Sequence, residues 1–297
     1  MKKINKNPNE DNSDKQMPAA GLVFEKSFMS ADLEQLIGHC DHYELVDFFK
    51  KWLPTHQPIL EAGSGSGRWV GWFTKRGWQA VGLDWSTALC ERARLAIPEA
   101  RFEVGDMREM PFDSGEFGAI VSLGAIEHSP EGPLRSLNEY YRVLKSGGIA
   151  IITVPYLGSV RRWVRFMGSL KATAKQNKLI RTIFGKATGA RSINEAKKEI
   201  LAGYSADFMM TEHGVEFYQY VLTKPQMRAF LNSAKFEIIE EFVEFRDEGI
   251  LHNFGRISGR YNEKLGVVQF SAIGKLLRKL APLDSTGHML CYIVIKR

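Results

Sequence analysis

The sequence predicts an α/β protein built as a doubly wound sheet, its strands mostly parallel and covered by helices on both faces. Three observations predict it. Short apolar runs and helical stretches alternate five times between residues 57 and 155. The first run passes directly into a glycine-rich loop that opens a helix. The chain has 297 residues, 44% hydrophobic and 25% charged, which suits one large globular domain with insertions.

The elements follow in order. Residues 1–18 are dominated by Asn, Lys, Asp and Pro, so a disordered or extended tail is expected through residue 29. From Ser30, a candidate N-cap, to Leu53 the residues Leu33, Ile37, Cys40, Val46 and Phe49 recur at helical spacing. Pro58–Ala62 reads as a strand, Trp69–Arg76 as a helix and Ala80–Leu83 as a strand closing on Asp84. Ser86 caps a helix to Ala96, and Arg101–Val104 is a strand ending in Gly105-Asp106. Ala119–Leu123, a helix from Leu134 to Leu144, and Ile149–Val154 complete a core over residues 30–155. After Pro155 the rhythm breaks, and residues 156–217 are expected to form a basic, largely helical insertion. Thr223-Lys224-Pro225 then starts a helix with its cap and first-turn proline. The core resumes over 218–297, with a strand at Phe236–Phe245, a second insertion at 246–287 and a last strand at His288–Ile295.

The net charge of +6 is unevenly spread. Tyr156–Ile200 carries eleven Lys/Arg against two Glu, and the second insertion seven against four. These are local surpluses of +9 and +3, which leave −6 for the rest of the chain and argue for an anionic partner at the insertions. Cys40, Cys90 and Cys291 are far apart and form no CxxC pair, so neither a disulfide framework nor a metal site is expected. No run is apolar enough to span a bilayer and no signal peptide is evident, so a cytoplasmic location is expected.

The loop reads Glu61-Ala62-Gly63-Ser64-Gly65-Ser66-Gly67. A dinucleotide fingerprint would place its last glycine where Arg68 stands, and a phosphate-binding P-loop would need a following Gly-Lys-Ser/Thr that is absent. Glu61-x-Gly63-x-Gly65-x-Gly67 resembles the first motif of class I S-adenosylmethionine (SAM) dependent methyltransferases, in the type 11 group typified by ubiquinone and menaquinone biosynthesis C-methyltransferases. Further signals keep the order of that family: Asp84, Gly105-Asp106-Met107, Glu127-His128-Ser129, and Tyr141–Gly148. Within Tyr141–Gly148, Ser146 stands where proline is usual. The resemblance covers residues 57–155 well and the C-terminal part in general layout.

It implies a Rossmann-like sheet of about seven strands with an antiparallel last strand, the two insertions forming a lid, and SAM as cofactor. The glycines Gly63, Gly65 and Gly67 would let the backbone approach the methionine moiety, with Glu61 facing its ammonium. Asp84 can take both ribose hydroxyls, and Asp106 the adenine amino group. Met107 would lie on the adenine ring, with Trp85 and Leu123 beside the cofactor. Methyl transfer is an in-line displacement, so a base is needed only if the acceptor loses a proton. His128 and His213 are the candidates, each with a purely structural alternative.

Strand carboxyl ends carry the ligands in such sheets, and both insertions leave from there. Val160, Trp163, Val164, Met167 and Leu170 form a helical stripe with Arg161, Arg162 and Arg165 on other faces. This helix either caps the pocket or lies on an anionic membrane at its inner face. The expected acceptor is small or lipid- or carrier-linked, and anionic. A nucleic-acid methyltransferase and a non-catalytic SAM binder are the alternatives. Missing Asp/Asn-Pro-Pro-Tyr/Phe and Pro-Cys motifs count against base methylation.

Overall fold

The computed structural model describes residues 19–175, 197–211, 214–262 and 265–297. Its centre is a seven-stranded sheet of order β3-β2-β1-β4-β5-β11-β8. The strands are β1 (Ile59–Ala62), β2 (Ala80–Asp84), β3 (Arg101–Val104), β4 (Phe117–Leu123), β5 (Leu144–Pro155), β8 (Glu237–Glu244) and β11 (Met289–Ile295). All pairings from β3 to β5 are parallel, and β11 runs antiparallel to both β5 and β8. β1 and β4 are buried along nearly their whole length, as strands covered on both faces must be.

Two apolar layers cover the sheet. One includes Phe117, Leu137, Tyr140, Met227 and Leu231, carried partly by α6 (Leu134–Val143) and α8 (Lys224–Ser233). The other includes Phe49, Trp69, Trp72 and Phe73, from α3 (Leu45–Trp52) and α4 (Arg68–Thr74). Local chemistry sets the helix starts. Ser86 Oγ accepts from Leu89 N at 3.1 Å to open α5 (Thr87–Ala96), and Thr223 and Gln226 form a reciprocal capping box at α8. The three cysteines are buried thiols, and burial pushes Cys40 up to about 12 and Cys90 to about 11.

Three expectations change in the N-terminal part. The tail expected through residue 29 contains α1 (Ala19–Ser30), a helix held on the domain by Arg92, which donates to the carbonyls of Phe28 and Ala31. Residues 1–18 lie outside the described residues. Ser30 ends α1 instead of capping the next helix; Asp32 caps α2 (Leu33–His39) by accepting from Gln35 N at 3.1 Å. A 3-10 turn at Cys40–His42 and an extended Tyr43 then separate α2 from α3.

Of the first insertion, residues 176–196 lie outside the described residues. α7 (Ser159–Lys175) is followed, beyond residues outside the described set, by a hairpin of β6 (Ser205–Thr211) and β7 (Gly214–Val221). Of the three α7 arginines, Arg162 is exposed, Arg165 half-buried and Arg161 buried. Arg161 is buried and donates to Asp207 Oδ2 at 3.2 Å, while Arg165 and Gln219 bind the same carboxylate. A buried cation needs such a partner, so this cluster fastens α7 to the hairpin. The second insertion is ordered: α9 (Arg246–Phe254), the hairpin β9 (Gly259–Asn262) and β10 (Val267–Phe270), α10 (Ala272–Leu280) and α11 (Leu283–Thr286).

Candidate active site

At the carboxyl ends of β1 to β4 a cavity is lined by Glu61, Gly63, Gly65, Asp84, Trp85, Asp106, Met107, Leu123 and His128. Nine of the eleven residues expected at the site therefore converge on one space. Gly67 does not line it. Gly67 has φ +80° at the start of α4, and a Cβ there would lie 2.9 Å from the Phe102 ring. Its hydrogen side chain allows α4 to close on β3, which is a packing role. His213 lies outside the described residues.

The loop forms a cradle. Gly63 has φ +78°, and a Cβ there would meet Ala125 Cβ at 2.6 Å, so only glycine leaves the cavity floor open. Ser64 and Ser66 also line the cavity, and their buried hydroxyls have no hydrogen-bond partner among the described residues. Such orphaned donors on a cavity wall suit a ligand with several polar groups.

Three carboxyl groups divide the cavity. Glu61 is buried, accepts from Val70 N at 3.0 Å and is pushed up to about 8, because burial outweighs the opposing pull of Arg68. Asp84 accepts from Gly65 N at 2.7 Å and Ser86 N at 3.0 Å, which holds it across the top of the glycine loop; burial raises its pKa. A carboxylate has about four acceptor sites, so these bonds leave acceptor capacity for ribose hydroxyls. Asp106 is not a free acceptor: Arg108 Nε lies 2.9 Å from its Oδ1 and Nη2 2.8 Å from its Oδ2. Arg108 in turn lies 5.3 Å from the Trp85 ring centroid. The Asp106–Arg108–Trp85 group thus forms one rigid wall, with Arg108 a residue that sequence reasoning did not single out.

α1 supplies the other missed part. Gly21, Phe24 and Phe28, at i, i+3 and i+7, all line the cavity. Phe28 lies against the glycine loop, 2.9 Å from where a Gly65 Cβ would sit, and Glu25 accepts from the Ser86 hydroxyl. Phe24 meets His128 edge-on at 5.0 Å and stacks near Tyr218 at 5.9 Å. The 3,4 spacing of these residues was readable, but the polar residues before them drew the tail boundary too far along.

His128 is mostly buried, and its Nδ1 is 2.7 Å from the Tyr218 carbonyl oxygen, which sets Nδ1 as the protonated nitrogen of the neutral ring. Its Nε2 is 3.9 Å from Glu127 Oε1. Burial lowers the His128 pKa, opposed by the carbonyls of Tyr218 and Gly124. Glu127 is 1% exposed, its Oε2 has no hydrogen-bond partner among the described residues, and burial pushes it up to about 8. His128 therefore sits as a neutral imidazole at the end of the cavity away from Asp84, beside a buried carboxyl.

Comparison with known proteins agrees with this geometry. A family described as "Methyltransferase domain" matches residues 60–152. An uncharacterized methyltransferase of Synechocystis sp. is 29% identical over 154 residues, covering 50% of this chain and 72% of that protein. An uncharacterized methyltransferase of Mycobacterium sp. is 27% identical over 124 residues, covering 40% of this chain and 49% of that protein, so part of the similarity spans only about half of a relative. Among solved structures, a SAM-dependent methyltransferase from Methanosarcina mazei superposes with a TM-score of 0.53 at 17% identity. That superposition covers 84% of this chain and 96% of the other, and what the two share is the fold. With this strand order, a glycine cradle under paired carboxyl groups and a methyltransferase domain matched over residues 60–152, the chain is similar to the class I SAM-dependent methyltransferases of the type 11 group, whose cofactor is SAM.

Proposed function

We propose that this methyltransferase acts on a small or lipid- or carrier-linked acceptor bearing negative charge. The observation that carries the reading is the charge segregation: +9 and +3 in the two insertions at the carboxyl end of the sheet, against −6 elsewhere. Similarity to a rice 2-methyl-6-phytyl-1,4-hydroquinone methyltransferase (39% over 75 residues) and to a Salmonella typhimurium malonyl-[acyl-carrier protein] O-methyltransferase (31% over 103 residues) supports it. These alignments span 22% and 40% of those proteins.

SAM supplies an electrophilic methyl group on a sulfonium; the chain binds, orients and excludes water. In this reading Glu61 faces the ammonium and the Ser64–Gly65 loop the carboxylate of the methionine moiety. Asp84 holds the ribose hydroxyls, and Trp85, Met107, Leu123 and the Asp106–Arg108 wall hold the adenine. Phe24 and Phe28 close the cavity from above, which keeps water from the reacting carbon. His128 takes the acceptor proton through Nε2, leaving an imidazolium that the Tyr218 carbonyl and Glu127 stabilise.

A second reading has one specific support. A Xenopus tropicalis tRNA (carboxymethyluridine(34)-5-O)-methyltransferase is 28% identical over 162 residues, spanning 24% of that protein. One experiment separates the readings: incubation with methyl-labelled SAM and cell extract, followed by fractionation into lipid, carrier-protein, small-molecule and nucleic-acid pools. Label in the first three supports the proposal. Label confined to nucleic acid overturns it, and SAM binding with no label in any pool would indicate a non-catalytic binder.

A further inference from the structure

α10 is an amphipathic helix turned the wrong way for a water-soluble domain. Ile273, Leu276 and Leu280 recur at i, i+3 and i+7 and thus share one face, yet they are 52–69% exposed. The reason lies in Gly274. A Cβ there would fall 1.9 Å from the Ser258 carbonyl oxygen, so the helix backbone rests flush on the chain before β9 at that point. With the buried line passing through Gly274, the leucine face is held outward. Leaving that much apolar surface in water is unfavourable unless something covers it.

The neighbouring surface is of the same kind. α10 packs on α9, α9 on α11, and α11 on α7. From α7, Trp163 and Phe166 are 59% and 60% exposed, Arg162 beside them is exposed too, and Leu283 of α11 is exposed as well. Beside α10 a cleft of about 670 Å³ is lined by Arg246, Lys275, Arg278 and Lys279 with Val268 and Phe270. Arg278 is paired with Asp247. Lys275 and Lys279 have no ion-pair partner among the described residues, and Arg246 Nε is buried without an acceptor. Apolar side chains facing outward next to a cleft in which Lys275 and Lys279 are not neutralised by any described residue are the chemistry of an interfacial helix on acidic phospholipid. No helix among the described residues is long and apolar enough to cross a membrane, so the contact is peripheral.

We propose that the α10 face, with Trp163 and Phe166 of α7, docks on an anionic lipid bilayer, and that the cationic cleft takes the lipid headgroup phosphates. Charge complementarity selects this occupant: the cations cluster in the two insertions, while the remainder of the chain is net negative and is kept off the same surface. Both insertions leave the carboxyl end of the sheet, so docking brings the cavity end of the domain to the bilayer. The proposal is independent of the acceptor assigned above, because it concerns lipid and not turnover.

The test is co-sedimentation of the full chain with phosphatidylcholine vesicles, with and without phosphatidylglycerol, at low and high salt. The wild type is expected to sediment with the acidic vesicles at low salt and to be released by high salt. Lys275→Ala/Lys279→Ala is expected to weaken partitioning about 30-fold, from roughly a fivefold contribution per surface cation. Leu276→Glu/Leu280→Glu is expected to abolish it. Both pairs are exposed, and an unchanged SAM titration certifies the fold of each variant. Failure of the wild type to bind acidic vesicles overturns the proposal, as does equal binding by both variants. A wild-type dimer in sedimentation velocity that Leu276→Glu/Leu280→Glu dissociates also overturns it, in favour of a second copy on this face.

Discussion

Glu61 offers the sharpest test of how the cavity holds SAM. Burial pushes its carboxyl up to about 8, so without ligand the group is largely neutral at physiological pH. It can face an ammonium productively only when ionised. With that pKa, roughly 1% of the free protein carries the charge at pH 6 and roughly 10% at pH 7. SAM affinity is therefore expected to rise about tenfold between pH 6 and pH 7, with about 0.9 proton released per SAM bound at pH 7. Above about pH 8 the ligand's own α-amino group loses its proton and affinity falls again. Calorimetry in two buffers of different ionisation enthalpy reads both the affinity and the proton count. Glu61→Gln keeps an acceptor for Val70 N but no charge, so the pH slope and the proton release should disappear. The substitution should also weaken binding about 10- to 100-fold near pH 8, the worth of a charged hydrogen bond. A wild-type affinity that is flat from pH 6 to pH 8 with no proton released would refute the assignment of Glu61 to the ammonium.

The two glycines of the loop should part company. Gly67→Ala, strained at φ +80° and pressed on Phe102, is expected to cost about 2 kcal/mol and lower the melting temperature by roughly 5 °C, while SAM affinity of the folded protein holds. Gly63→Ala, which fills the cavity floor, should abolish SAM binding in calorimetry. His128→Gln should leave SAM affinity intact and slow transfer by roughly 10²- to 10⁴-fold if the acceptor gives up a proton; equal single-turnover rates would remove it from the chemistry. Glu127 is a carboxyl whose pKa is raised to about 8 on folding, so it favours the folded state below its ordinary range and that benefit is lost as pH rises. Glu127→Gln should therefore gain stability relative to wild type from about pH 5 to about pH 8 and level off above, and parallel melting-temperature profiles would contradict this.

What was legible in the sequence is local in origin. The first five strands, the loop Glu61–Gly67 and the acidic residues at the ends of β2 and β3 all lie within about a hundred consecutive residues. There, strand length, turn chemistry and motif spacing are set by neighbours in the chain. The N-caps Ser86 and Thr223 were readable for the same reason: a cap acts on a backbone N–H two or three residues on. The family resemblance carried the antiparallel last strand, because no local signal tells the direction in which β11 enters between β5 and β8.

The remainder depends on partners far along the chain. Arg161 and Arg162 are adjacent and chemically identical, yet one is buried because Asp207 of the β6–β7 hairpin meets it, and the other stays in water. Asp106 and Arg108 form a closed pair across a turn, which changes Asp106 from an open acceptor into part of a wall. α1 becomes a roof because Arg92 and Ser86, some sixty residues on, bond to it. The outward face of α10 turns on one glycine meeting the carbonyl of Ser258. By itself the sequence determined the parallel part of the sheet and the glycine loop, and its resemblance to a known family added the last strand's direction and the cofactor. Tertiary structure decided which charges are neutralised and which apolar face is left in water, since both are fixed by packing between segments that no local pattern connects.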